Sequence, residues 1–149
     1  MNKLFSSPCS MPELETESQK IEHILKNTKT IVLVGATFRE EMAANYVMKY
    51  LLDQGYQVFP INPKYAGQKL HNQTIYADMN DIKEEIDMVD IFRPGTEAEA
   101  IVKQSLDKNV KYIWLQLGIT SKEAEDLALK NNKVFIQNRC TLVEHQKLN

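Results

Sequence analysis

Apolar positions return along this chain in two rhythms: short runs of consecutive β-branched and aromatic residues, and longer stretches in which they recur every three or four positions. The second rhythm opens the chain's ordered part, where residues 15 to 26 set Ile21, Ile24 and Leu25 on one helical face. Thr30-Ile31-Val32-Leu33-Val34 then reads as a strand. A helix from about Glu41 to Gln54 follows, with Tyr46, Val47, Tyr50 and Leu51 at helical spacing and a stop at Gly55. Residues 56 to 61 make a second strand, residues 62 to 67 carry turn formers, a weak strand is expected near 73 to 76, and Asp78 caps a short helix. Met88-Val89-Asp90-Ile91-Phe92 is the third core strand. Thr96 is expected to cap a helix carrying Ala98, Ile101, Val102 and Leu106. Residues 110 to 115 are a strand, Ser121 opens a helix to Asn131, residues 133 to 136 form the last strand, and a short helix runs from Thr141 to Lys147.

Strands that alternate with helices in this way predict βαβ units. The expected fold is therefore α/β: a Rossmann-like, doubly wound, mainly parallel sheet with helices on both faces. Residues 1 to 13, with Pro8 and Pro12, are expected to be an arm, and residues 14 to 149 a single domain.

In such a sheet the ligand crevice lies beyond the carboxyl ends of the strands, so the residues after each strand decide the chemistry. Here they are Gly35-Ala36-Thr37, Asn62-Pro63-Lys64, Phe92-Arg93-Pro94, Gln116-Leu117-Gly118 and Asn138-Arg139-Cys140. Gly35 lacks a Cβ to obstruct the turn or the approach of a phosphate, and a following helix would aim free N–H groups at an anion. The three-glycine dinucleotide fingerprint is absent, since Ala36, Thr37, Phe38 and Arg39 follow without another glycine. Open backbone, fixed turns and hydrogen-bonding side chains suit binding, whereas hydrolysis would need a base beside a nucleophile.

Composition narrows the choice. With 149 residues, 43% of them hydrophobic, there is room for one core and not for a second catalytic domain. A formal net charge of −2 offers no basic field, so nucleic acid is not an expected partner. No apolar run is long enough to span a membrane, and the first residues do not read as a secretory signal. Cys9 and Cys140 make no disulfide framework, which points to a cytoplasmic location. His23, His71 and His145 stand far apart with no metal-ligand spacing.

Taken together, Val34-Gly35-Ala36-Thr37, Gly55-Tyr56 with Pro60-Ile61-Asn62-Pro63, Asp90-Ile91-Phe92-Arg93, Trp114 to Ile119, and Arg139-Cys140 with Glu144-His145 occur in an order that resembles the small CoA-binding proteins. These are single-domain relatives of the CoA-binding domain of the succinyl-CoA synthetase alpha subunit. The resemblance spans about residues 20 to 148 and implies CoA or an acyl-CoA as ligand, in a sensing, carrier or regulatory role without catalysis. It implies Gly35, Ala36, Thr37 and Arg39 at the pyrophosphate, and Asn62, Pro63 and Lys64 near the adenosine end. Phe92 and Arg93 would border the adenine or the pantetheine arm, with Gln116 hydrogen-bonding and Gly118 leaving space. Asn62 followed by Lys64, in place of the acid of an NAD site, favours a ligand with an extra ribose phosphate. Cys140 and His145, five residues apart, are not expected to act as nucleophile and base. One departure stands out: Met42-Ala43-Ala44 replaces an Arg-Pro-Ser segment common among these proteins. A small NAD(P)-dependent oxidoreductase and a ligand-free interaction scaffold of the same fold remain the alternatives, and a protein partner stays open.

Overall fold

The computed structural model describes residues 16–148, so the expected arm and Cys9 lie outside the described residues. Helix α1, Glu17–Asn27, starts at Thr16 with a reciprocal capping box to Gln19 and buries Ile21, Ile24 and Leu25. Strand β1, Thr30–Val34, leads through the Gly35 turn to α2, Ala43–Asp53, and then to β2, Gln57–Ile61. A 3-10 turn at Pro63–Tyr65 precedes a two-stranded antiparallel hairpin, β3 at Lys69–Leu70 and β4 at Gln73–Thr74. A second 3-10 turn, Met79–Asp81, is capped by Asp78, whose carboxylate accepts from Asn80 N. The rest follows as β5 (Met88–Ile91), α3 (Gly95–Asp107), β6 (Tyr112–Leu115), α4 (Lys122–Lys130), β7 (Val134–Ile136) and α5 (Thr141–Gln146).

The main sheet has the order β2-β1-β5-β6-β7 and every pairing in it is parallel. Winding moves outward from β1 to β2 in one direction and from β5 to β6 and β7 in the other. Because such crossovers are right-handed, that reversal puts α2 on one face of the sheet and α3 and α4 on the other. Helices α1 and α5 join α2, and the core divides accordingly. Ile31, Leu33, Met88, Trp114 and Ile136 pack under α1, α2 and α5, whereas Val32, Phe59, Val89, Ile113, Leu115 and Phe135 pack under α3 and α4. The doubly wound α/β expectation is met, with the change of winding direction lying between β1 and β5.

Several local expectations are corrected. Thr96 does not cap α3: the cap position is Pro94, with no side-chain bond, and Gly95 begins the helix. A Cβ on Gly95 would stand 2.1 Å from the Thr120 carbonyl oxygen, so close packing against that loop, and not capping chemistry, selects the residue at the start of α3. Tyr46 is not on the buried face of α2, being 49% exposed, while Asn45 beside it is buried. The weak strand near 73 to 76 belongs largely to the separate hairpin, whose turn residues His71 and Asn72 both have positive φ, 49° and 67°, as a two-residue primed turn requires.

Candidate functional site

The ends of β1 and β5 meet at the winding reversal, and Gly35 sets their spacing. Its φ is +104°, and a Cβ there would come within 3.1 Å of both the Phe92 carbonyl oxygen and Arg93 Cδ. Glycine is thus required twice, by conformation and by the neighbouring turn. The N–H groups of Gly35 and Ala36 both donate to Ile61 O, at 3.0 and 3.1 Å. They are therefore bound to the end of β2 and not presented to a ligand, contrary to the simplest picture of a phosphate turn. The next two peptides differ. Asn62 Nδ2 donates to Ala36 O at 2.7 Å and Asn45 Nδ2 to Thr37 O at 2.9 Å. Since N–H and C=O point oppositely across a trans peptide, anchoring these carbonyls turns the Thr37 and Phe38 N–H groups the other way. Thr37 Oγ1 accepts from Arg39 N at 3.2 Å, which leaves its hydroxyl hydrogen to donate elsewhere.

Two cavities open on either side of this turn. One, of about 580 Å³, lies towards β2 and is lined by Val34, Ile61, Pro63, residues 77 to 79, and Glu97, Ile101 and Gln104 of α3. The other, of about 540 Å³, lies towards α2 and the ends of β6 and β7, where Ala36, Thr37, Arg39, Met42, Phe92, Gln116, Leu117 and Cys140 line it. Gly35, Asn62, Lys64 and Arg93 border both. Ten of the eleven residues singled out in the sequence thus line one cavity or the other. The exception is Gly118, whose N–H donates to Asn138 Oδ1 at 2.7 Å; its φ of +86° makes glycine favourable there, and a Cβ would meet nothing within 4 Å.

The charged residues are mostly paired. Arg93 forms a fork with Glu97, Nε to Oε1 at 3.0 Å and Nη2 to Oε2 at 2.9 Å, and this bond raises the guanidinium pKa while lowering that of the carboxyl. Arg39 pairs with Glu41 at the exposed edge. Lys64 makes no ion pair among the described residues, and its ammonium lies 5.4 Å from the centre of the Tyr65 ring. Asn62 is committed to the scaffold, since its Oδ1 also accepts from Lys64 N.

Gln116 likewise has a structural engagement. It is buried, and its Nε2 donates to Asp90 Oδ1 at 2.7 Å and to Thr141 Oγ1 at 2.8 Å, while the Thr141 hydroxyl donates to Asp90 Oδ2 at 3.1 Å. Burial pushes the Asp90 carboxyl up to about 7 against the lowering effect of these two bonds. This triangle fixes the start of α5 beside the sheet and so brings Cys140 to the cavity wall. No hydrogen bond joins Cys140 to His145 among the described residues; His145 Nδ1 lies 2.7 Å from Tyr50 Oη, and burial lowers its pKa. Among the described residues no group of three His, Cys, Asp or Glu side chains could hold a metal ion, and no helix is long and apolar enough to cross a membrane.

Sequence reasoning passed over two contributors, Asn45 and His71. His71 Nε2 lies 3.0 Å from Asn45 Oδ1, and because the Asn45 amide nitrogen is turned to Thr37, the imidazole is the donor. Neither has a motif to reveal it; the signal was only a polar residue on an otherwise apolar helical face.

Comparison with known proteins agrees with this architecture. A family model described as a CoA binding domain matches residues 29–146. The uncharacterized protein YneT of Bacillus subtilis is 26% identical over 126 residues, covering 85% of this chain and 92% of that protein. The alpha subunit of an ADP-forming acetate–CoA ligase of Pyrococcus furiosus is 25% identical over 121 residues, covering 74% of this chain and 26% of that subunit. Among solved structures, a hypothetical protein from Pyrococcus horikoshii OT3 superposes with a TM-score of 0.84 at 35% identity, covering 93% of this chain and 99% of that one. A Thermus thermophilus protein gives 0.85 at 33% identity, covering 90% of this chain and 100% of that one. The match over most of its length shows that the chain belongs to the CoA binding domain family.

Proposed function

We propose that this protein binds CoA or an acyl-CoA and performs no catalysis of its own. The observation that carries the reading is the pair of cavities meeting at the Gly35 turn, bordered by Lys64, which has no ion-pair partner among the described residues. CoA is a long molecule with a phosphorylated nucleoside at one end, a pyrophosphate in the middle and a thiol-ended arm, and two cavities sharing an anion-favouring ridge suit that outline. In this reading the nucleoside enters the cavity beside β2, with Lys64 near the ribose phosphate. The pyrophosphate lies over Gly35 and Thr37, where the hydroxyl and the outward N–H groups donate. The arm runs past Phe92 and Gln116 towards Cys140. The acetate–CoA ligase named among the relatives supports the choice of CoA. Binding without turnover suits walls in which, among the described residues, Cys140 has no hydrogen-bonded base.

Calorimetry and thermal unfolding with CoA, NAD and NADP test this. At about 100 times its dissociation constant CoA is expected to stabilise the protein by roughly 2.7 kcal/mol, a rise of roughly 5 to 10 °C in Tm. Stabilisation by NAD or NADP in place of CoA would favour the oxidoreductase alternative, and no stabilisation by any of the three would leave the scaffold reading.

A further inference from the structure

Resting on the CoA reading, we infer that the preferred ligand carries an apolar acyl chain on its thiol, seated on Met42, Tyr46, Leu117 and Ile119. These residues line the cavity on the side away from β2, and three of them are exposed: Met42 at 46%, Tyr46 at 49% and Leu117 at 69%. Single exposed apolar residues need no explanation, but three around the mouth of one cavity do. The cavity is continuous with the Gly35 turn, so whatever lies on this apolar mouth is joined to whatever occupies the turn. For CoA that is the thiol end and its substituent. Among the described residues no acidic side chain lines the cavity, and the three cations that do, Arg39, Lys64 and Arg93, belong to the loop after β1 and to the ends of β2 and β5. Ala43 and Ala44, small residues at the start of α2, leave the wall beside Met42 open. A methylene chain is the occupant that gains most from such a lining, because its burial is favourable in proportion to the apolar area removed from water.

The test is calorimetry with CoA, acetyl-CoA, butanoyl-CoA, hexanoyl-CoA and the carboxylate-ended succinyl-CoA. Affinity is expected to rise roughly two- to fourfold per methylene from acetyl to hexanoyl, with succinyl-CoA no tighter than acetyl-CoA. Leu117→Ser and Tyr46→Ser, at exposed positions that the fold tolerates, are expected to lower the hexanoyl-to-CoA affinity ratio, whereas Leu129→Ser, exposed on α4 and outside both cavities, is not. CoA binding with affinity flat along the series overturns this inference alone. Failure of every compound, CoA included, overturns the CoA reading and the inference with it.

Discussion

Lys64 is the residue at which charge has most to gain. Arg39 and Arg93 already have carboxylate partners, whereas a ligand phosphate near Lys64 displaces no ion pair among the described residues, only the contact with the Tyr65 ring. Lys64→Ala is expected to weaken CoA binding roughly five- to tenfold while affecting CoA without its ribose phosphate much less, a contrast read by calorimetry on the two ligands. Equal losses for both would move Lys64 away from the ribose phosphate. Gly35 works through shape. Gly35→Ala forces a side chain into a left-handed conformation and against the Phe92 carbonyl, at an expected cost of about 1 to 3 kcal/mol in urea unfolding. The clash is with protein backbone, so stability falls along with binding.

At the scale of elements, the turn after β1 depends on two neighbours that donate to its carbonyls, β2 through Asn62 and α2 through Asn45, and Asn45 is in turn held by His71 of the β3–β4 hairpin. Asn45→Ala leaves the Thr37 carbonyl without that donor, and the expected outcome is a loss of about 1 to 3 kcal/mol in chemical denaturation together with weaker CoA binding. Retained stability and affinity would show that the hairpin and the turn are independent. The βαβ order, the strand ends and the wall position of ten of the eleven residues singled out were legible because a buried parallel strand must be continuously apolar and its following turn must carry the exceptional residues. What Asn62 and Gln116 do there was not legible. Both read as hydrogen-bonders for a ligand, yet their amides are spent on Ala36, Asp90 and Thr141, and spacing along a chain cannot reveal which partner a side chain meets across a sheet. Thr96 failed as a cap for a similar reason, since the Thr120 loop, distant in sequence, fixes the start of α3 at Gly95.

Across the whole molecule, the sheet separates two apolar cores, and Asp90 puts a carboxyl inside one of them, in register between Leu33 and Trp114. Its pKa, raised by burial to about 7, means that the folded state holds the proton more tightly than the unfolded chain. Its contribution to stability is therefore complete below the unfolded carboxylate range and is lost as pH climbs towards about 7. Between about pH 5 and about pH 7.5, the wild-type urea midpoint is expected to fall relative to that of Asp90→Asn, and parallel curves would show that Asp90 does not titrate in this window. The Arg93–Glu97 fork has a consequence of a different kind. The fork spends Nε–H and one Nη2–H of Arg93 and leaves three N–H donors unused, so an anion can add to the guanidinium without breaking it, while the Glu97 charge weakens the attraction that anion feels. A guest anchored in both flanking cavities depends less on that weakened attraction than a small anion does, so the Arg93–Glu97 pair is expected to shift preference from inorganic phosphate towards long guests.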